Sequence, residues 1–121
     1  MKGLAIIVAS PDPARFRAAL TLAVAQTALG GKVRLYCHEA SVALLARAER
    51  TDDDSVTLAA AGLPDRLGLL AMALASGVIL IACQTGLAVA GLAMDDLAAG
   101  VEAGGMMALL ADLRDERLVT I

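Results

Sequence analysis

Apolar and polar positions come in blocks along this chain, and the period changes from block to block. Leu4-Ala5-Ile6-Ile7-Val8-Ala9 is a short continuous apolar run rich in β-branched side chains, the pattern of a strand buried on both faces of a parallel sheet. Ser10-Pro11-Asp12-Pro13 ends it and opens a helix, with Asp12 suited to the N-cap and Pro13 to the first helical position. The helix is predicted to reach about residue 28, with Phe16, Leu20, Val24 and Thr27 on one face, and to stop at Gly30-Gly31. Lys32-Val33-Arg34-Leu35-Tyr36-Cys37 alternates polar and apolar, which predicts a strand with one more exposed face, at the edge of the sheet. His38-Glu39 follow, then a helix over 41–48. Arg50-Thr51-Asp52-Asp53-Asp54-Ser55 is the most polar segment and predicts a surface loop. Residues 56–62 suit a loop or one helical turn.

Pro64-Asp65 opens the next helix, and from Leu67 to Met94 the chain holds 28 residues without a charged side chain. Roughly 18 such residues in a row make a candidate membrane span. Gly68, Ser76-Gly77, Gln84-Thr85-Gly86 and Gly91 punctuate this one, and Val78-Ile79 switch the local preference from helix to strand. The stretch therefore predicts a helix over 67–75, a stop at Ser76-Gly77, a buried strand over 78–82 and a polar turn Cys83-Gln84-Thr85-Gly86. Beyond it come a helical turn over 87–92, a short helix starting at Asp95-Asp96-Leu97, a short strand over 100–103, a helix over 106–113 and a final strand over 117–121. The order β-α-β-α-α-β-α-β-α-β predicts one α/β domain over 1–121: a doubly wound, mostly parallel five-stranded sheet with helices on both faces. A flavodoxin-like arrangement places strand one between strands two and three, giving the order 2-1-3-4-5.

Composition adds an expectation about assembly. Apolar residues make up 59% of the chain, against roughly 45–50% for soluble domains. Only Phe16 and Tyr36 are aromatic and Trp is absent, so the surplus is small and aliphatic. A domain of 121 residues cannot hide that surplus behind its own surface, which predicts a homo-oligomer with a buried subunit interface. The net charge of −3, with ten basic and thirteen acidic residues and no basic stripe, excludes a nucleic-acid partner. Two cysteines and no cleavable signal pattern imply a reducing, cytoplasmic setting.

Cys83 is the residue with the strongest chemical position, at the carboxyl end of a strand, where α/β sheets place their chemistry. Its bland reading is a small buried hydrophobe. Against that, Gln84, Thr85 and Gly86 are turn formers, so the thiol is expected at the sheet's rim, where backbone N–H groups of a following helix stabilise a thiolate. Nothing basic lies near in sequence, and Asp95 and Asp96 would oppose ionisation if they came close. Cys37 and His38 end the second strand at the same edge. Two cysteines and one histidine fall short of a four-ligand zinc site, and no CxxC or HxxxH spacing is present; no metal is expected. Asp52-Asp53-Asp54 lacks the Gly and distal Glu of a calcium loop. Ser10-Pro11-Asp12 carries no phosphate-binding glycine motif and Asp12 would repel an anion, so no cofactor is expected. In the 2-1-3 order Cys37 and Cys83 stand two strand spacings apart, roughly 9–10 Å, too far for a disulfide, with Ser10 between them and Asp12 close by. The candidate site is thus Cys83 as reactive thiol, with Ser10, Asp12, Cys37, His38, Gln84, Thr85 and Gly86 around it.

The Ala82-Cys83-Gln84-Thr85-Gly86-Leu87 turn, with Gly91-Leu92, Asp95-Asp96-Leu97 and Gly100-Val101-Glu102, resembles the DsrE/DsrF-like (TusD-related) family. The resemblance implies a small α/β domain with a parallel five-stranded sheet, assembled into trimers or hexamers. The family's sulfur-relay members carry sulfur as a persulfide on the cysteine that corresponds to Cys83. It thereby implies a cytoplasmic sulfur carrier or sulfurtransferase-like protein, with sulfur donor and acceptor proteins as partners and no membrane or nucleic acid. A reading from a different class is a non-catalytic oligomeric module that binds a small ligand in a rim pocket near Cys83. A thiol peroxidase is a third, but no resolving cysteine stands beside Cys83 in the sequence.

Overall fold

The computed structural model describes residues 1–50 and 54–121; Thr51, Asp52 and Asp53, the middle of the expected acidic loop, lie outside the described residues. In chain order the elements are β1 (Leu4–Val8), α1 (Pro13–Ala28), β2 (Val33–Cys37), a 3₁₀ segment (Glu39–Leu45), α2 (Ser55–Ala60), α3 (Arg66–Ala75), β3 (Ile79–Cys83), α4 (Gln84–Ala90), a 3₁₀ turn (Met94–Asp96), β4 (Glu102–Gly104), α5 (Met106–Ala111) and β5 (Arg117–Thr120). All five strands pair in parallel in one sheet, the α/β architecture that the alternation of elements predicts.

Within the sheet the neighbours run β4-β3-β2-β1-β5. The centre belongs to β2, which the 2-1-3-4-5 arrangement puts at an edge, and the edges are β4 and β5. The polar alternation of β2 has an internal cause. Arg34 forks onto Glu116, with Nε 3.2 Å and Nη2 3.0 Å from the carboxylate oxygens, and its Nη1 donates to the Leu109 carbonyl at 3.4 Å. A charge with its partners supplied inside the fold produces the same sequence pattern as a solvent-facing strand.

The order also decides which face each helix covers. From β1 to β4 the chain steps to the same side every time, so right-handed crossovers lay α1 and α3 on one face. There Phe16, Ala19, Leu20 and Ala23 of α1 and Leu69, Leu70 and Ala73 of α3 are buried. Burying Phe16 and Leu20, each almost fully covered, contributes roughly 1.5–3 kcal/mol apiece. Only the last connection reverses, from β4 at one edge to β5 at the other, and the same handedness sends α5 to the opposite face, over Arg34. That face carries one six-residue helix.

Local chemistry sets the element ends. Asp12 Oδ2 accepts from the Arg15 N–H at 2.9 Å and Asp65 Oδ1 from the Gly68 N–H at 2.8 Å, and each satisfies a helix-start donor that has no partner within the helix. The uncharged run from Leu67 to Met94 breaks into α3, β3, α4 and the start of the second 3₁₀ turn, and among the described residues no helix is long and apolar enough to cross a membrane. The helix expected over 41–48 is instead the 3₁₀ segment starting at Glu39. Ser41 is fully buried and its hydroxyl bonds the Val8 and His38 carbonyls, both at 2.8 Å, so the side chain competes with a regular α-turn.

The far end of that segment is held by Arg66, which is 7% exposed. Its Nη1 donates to the carbonyls of Leu44 (2.7 Å) and Ala46 (2.6 Å), and its Nη2 to that of Ala48 (2.7 Å). Replacing the guanidinium by an uncharged chain of similar reach, Arg66→Met, leaves these acceptors short of donors. The expected loss is about 3 kcal/mol, read as a lower urea midpoint at constant m-value; an unchanged midpoint would show that the carbonyls find water instead.

Candidate functional site

Cys83 ends β3 and is also the N-cap of α4, with extended backbone (φ −60°, ψ 123°). The polar turn expected at 83–86 is the first turn of this helix. The Cys83 sulfur accepts from the Gly86 N–H at 3.4 Å, the thiol counterpart of a serine or aspartate cap. The Tyr36 hydroxyl and the N–H groups of Glu39 and Thr85 also favour its ionised form.

Two backbone features shape this site. Glu39 sits at φ +45° and is the one non-glycine residue with positive φ among the described residues. The left-handed conformation costs of order 1–2 kcal/mol for a side chain of this kind; the strained turn is where the Glu39 N–H is presented to the sulfur. Gly86 is required by close approach. A Cβ there would lie 2.5 Å from the Glu39 carbonyl oxygen, 2.8 Å from Glu39 Cα and 2.8 Å from Val42 Cγ1. The first turn of α4 therefore rests directly on the backbone of the 3₁₀ segment.

The electrostatics follow from these donors. Cys83 is 5% exposed, and burial opposes its ionisation. The Tyr36 hydroxyl and then the N–H groups of Glu39, Gly86 and Thr85 outweigh that cost, so the thiol falls below its ordinary value of 9.0. Tyr36 moves the other way. Burial, followed by its hydrogen bond to Cys83, raises it far above the usual 10.0, which keeps the hydroxyl a donor. Cys37 is fully buried, and burial pushes its thiol up to about 12 in spite of a hydrogen bond with Ser41.

Register separates the two cysteines. Tyr36 pairs with Ile81 and Cys37 with Ala82, and side chains alternate between faces. Tyr36, Ile81 and Cys83 therefore share the α5 face, while Cys37 points to the other. The strands that carry the cysteines are neighbours, not two spacings apart; opposite faces keep both thiols free. Ser10 is not between them, since β2 separates β1 from β3. Its hydroxyl accepts from the Asp12 N–H at 3.1 Å, and Asp12 caps α1, so this pair serves the helix start.

Gln84 and Thr85 are exposed beside the sulfur, and Gly86 lies under it. The His38 ring stacks on Tyr36, with centroids 6.2 Å apart and planes inclined by 28°. A shallow depression of 340 Å³ lined by Glu39, Ala40, Gly86, Val89 and Ala90 flanks the cradle. No three of the described His, Cys, Asp and Glu residues gather as metal ligands. Tyr36 and Glu39 are the site residues that sequence reasoning missed. For Tyr36 a signal existed, since it stands two positions before His38 and so on its face; for Glu39, with an ordinary side chain in an unusual backbone, none did.

Among solved structures the chain is similar to the ychN protein from E. coli, with TM-score 0.79 and 20% identity over 100% of both chains. It is also similar to MTH1491 from Methanobacterium thermoautotrophicum, a protein described as of unknown function, with TM-score 0.72 and 17% identity over 99% of this chain and 98% of that one. The likeness is one of fold. No protein-family model and no curated protein matches the chain.

The cradle makes the Cys83 thiol a readable quantity. Alkylation rate against pH should show a midpoint below 9.0. Tyr36→Phe removes a donor to the anion and should move that midpoint up, as should Gly86→Ala, which forces α4 off the 3₁₀ segment and should also destabilise the fold by about 2 kcal/mol. A midpoint that stays put in Tyr36→Phe would remove the hydroxyl from the account.

Proposed function

We propose that this protein is a sulfur carrier of the DsrE/DsrF-like kind, holding a sulfane sulfur as a persulfide on Cys83 in a reducing, cytoplasmic setting. The observation that carries the reading is a covered sulfur seated at the N-cap of α4. There it accepts from the Gly86 N–H at 3.4 Å, and the Tyr36 hydroxyl and neighbouring N–H groups favour its ionised form. A structural thiol in a core gains nothing from such donors, whereas a sulfur that must bear negative charge does. The resemblance of the Cys83–Gly86 turn to that family and the fold shared with the ychN protein support the same reading.

In this chemistry the Cys83 thiolate attacks the outer sulfur of a donor persulfide. A new sulfur–sulfur bond forms at Cys83, the donor's breaks, and the electron pair leaves on the donor thiolate. The reverse step, onto an acceptor thiol, empties the carrier. No oxidant is consumed. Gln84 and Thr85, exposed on either side of the approach, are the residues a docking donor meets first.

Intact-mass measurement after incubation with a low-molecular-weight persulfide tests the proposal. The native chain and Cys37→Ser should gain one sulfur atom, and Cys83→Ser none. A native chain that gains nothing would return the site to a small-ligand pocket beside Cys83.

We also propose that the carrier works as a homo-oligomer. Among the described residues α5 is the helix over the sheet face that bears Cys83, and Ile79 (42%), Leu118 (46%) and Met107 (86%) stand exposed. Light scattering at micromolar concentration should return a multiple of the 12.3 kDa chain mass; a monomer would remove the reason offered for the apolar surplus.

A further inference from the structure

We propose that His38 is the proton carrier of this site, taking the Cys83 proton and delivering it to the leaving sulfur of the donor. The inference rests on the persulfide reading of Cys83.

The β2–β3 register ends at Cys37 opposite Ala82, but His38 keeps an extended backbone (φ −88°, ψ 129°). Its N–H continues the β1–β2 ladder by donating to the Val8 carbonyl at 2.9 Å. Extending the β2–β3 register by one residue sets His38 next to Cys83 on the neighbouring strand, roughly 5 Å away along the hydrogen-bonding direction. Alternation puts the imidazole on the face of Tyr36, which is also the face of Cys83, and the stacking of the two rings agrees with that.

The two ring nitrogens of His38 are in unlike states. Nδ1 is buried and meets no hydrogen-bond partner. Nε2 lies 3.6 Å from Glu39 Oε1, within reach of an ion pair but too long for a hydrogen bond. A buried nitrogen left unpartnered has a cost, and native folds rarely leave one so without a use. Here it is an open nitrogen on the strand face that carries Cys83. The side chain is 37% exposed, so the ring also meets whatever approaches the strand ends.

The neighbours leave the task to His38. The Tyr36 hydroxyl is held protonated by burial, so it takes no proton from the thiol. The Glu39 carboxylate lies against Nε2, on the other side of the ring. From α4 the residues at the cradle are Gln84 and Thr85, and α5 begins with Met106 and Met107, so neither adds a charge.

The proton account closes. Cys83–SH gives its proton to His38, and the thiolate attacks the outer sulfur of R–S–SH. The Cys83–sulfur bond forms, the donor's sulfur–sulfur bond breaks, and R–S⁻ leaves and takes the proton from His38. The sum is a thiol and a persulfide exchanging one sulfur.

The test compares two reactions in the native protein, His38→Asn and His38→Gln. One is sulfur loading from glutathione persulfide, followed by intact mass with time at neutral pH. The other is alkylation of Cys83 by iodoacetamide above pH 9.0, where the thiol has already lost its proton and iodide leaves without needing one. Loading should slow by roughly 100-fold in both variants, the scale of a lost general acid–base group, while alkylation stays unchanged. Undiminished loading in either variant would overturn the proposal. So would loading and alkylation falling together, since His38 would then only support the site. A native chain that never loads would overturn the carrier reading itself, a result distinct from both.

Discussion

The closest constraint in the molecule is the seat of α4 on the 3₁₀ segment at Gly86. Backbone rests on backbone there, with no room for a single methyl group, and the geometry of Cys83 depends on it. The contact brings the first N–H groups of α4 and the N–H of Glu39 to one sulfur. The 3₁₀ segment is itself anchored at both ends, by the Ser41 hydroxyl on the Val8 carbonyl near its start and by the Arg66 guanidinium on three carbonyls at and beyond its end. A strained Glu39 persists because these anchors over-determine the turn.

The site favours negative charge on sulfur by neutral dipoles. Arg34, the arginine on the same strand face, is already engaged by Glu116 and the Leu109 carbonyl. What remains is a phenol and three amides. Such donors are fixed in place, so they need no reorganisation when charge appears. Tyr36 stays effective because burial denies it ionisation.

Much of the fold was legible because its signals are local. The apolar run of β1, the Asp12 and Asp65 caps and the glycines that divide residues 67–94 each act within a few positions of themselves, and the structure has those elements. Cys83 was legible as the end of a strand for the same reason. Strand order was not. The alternation of β2 has two physical solutions, water or a buried partner, and the partner of Arg34 is Glu116, far along the chain. The 3₁₀ segment hid behind Ser41, whose hydroxyl turns inward only because Val8 is there to receive it. The cradle escaped for a subtler reason: three of its four donors are backbone groups, and backbone direction leaves no mark on residue identity.

The placement of the cysteines on opposite faces has a practical meaning for anyone who studies the molecule. The sheet acts as a partition. One thiol is sealed among core side chains with its acidity suppressed, and the other belongs to a helix cap at the strands' carboxyl ends. For a spectroscopic probe the unaltered chain is therefore a single-address molecule, and a signal from that address reports the packing of α4 on the 3₁₀ segment without any cysteine having to be engineered away.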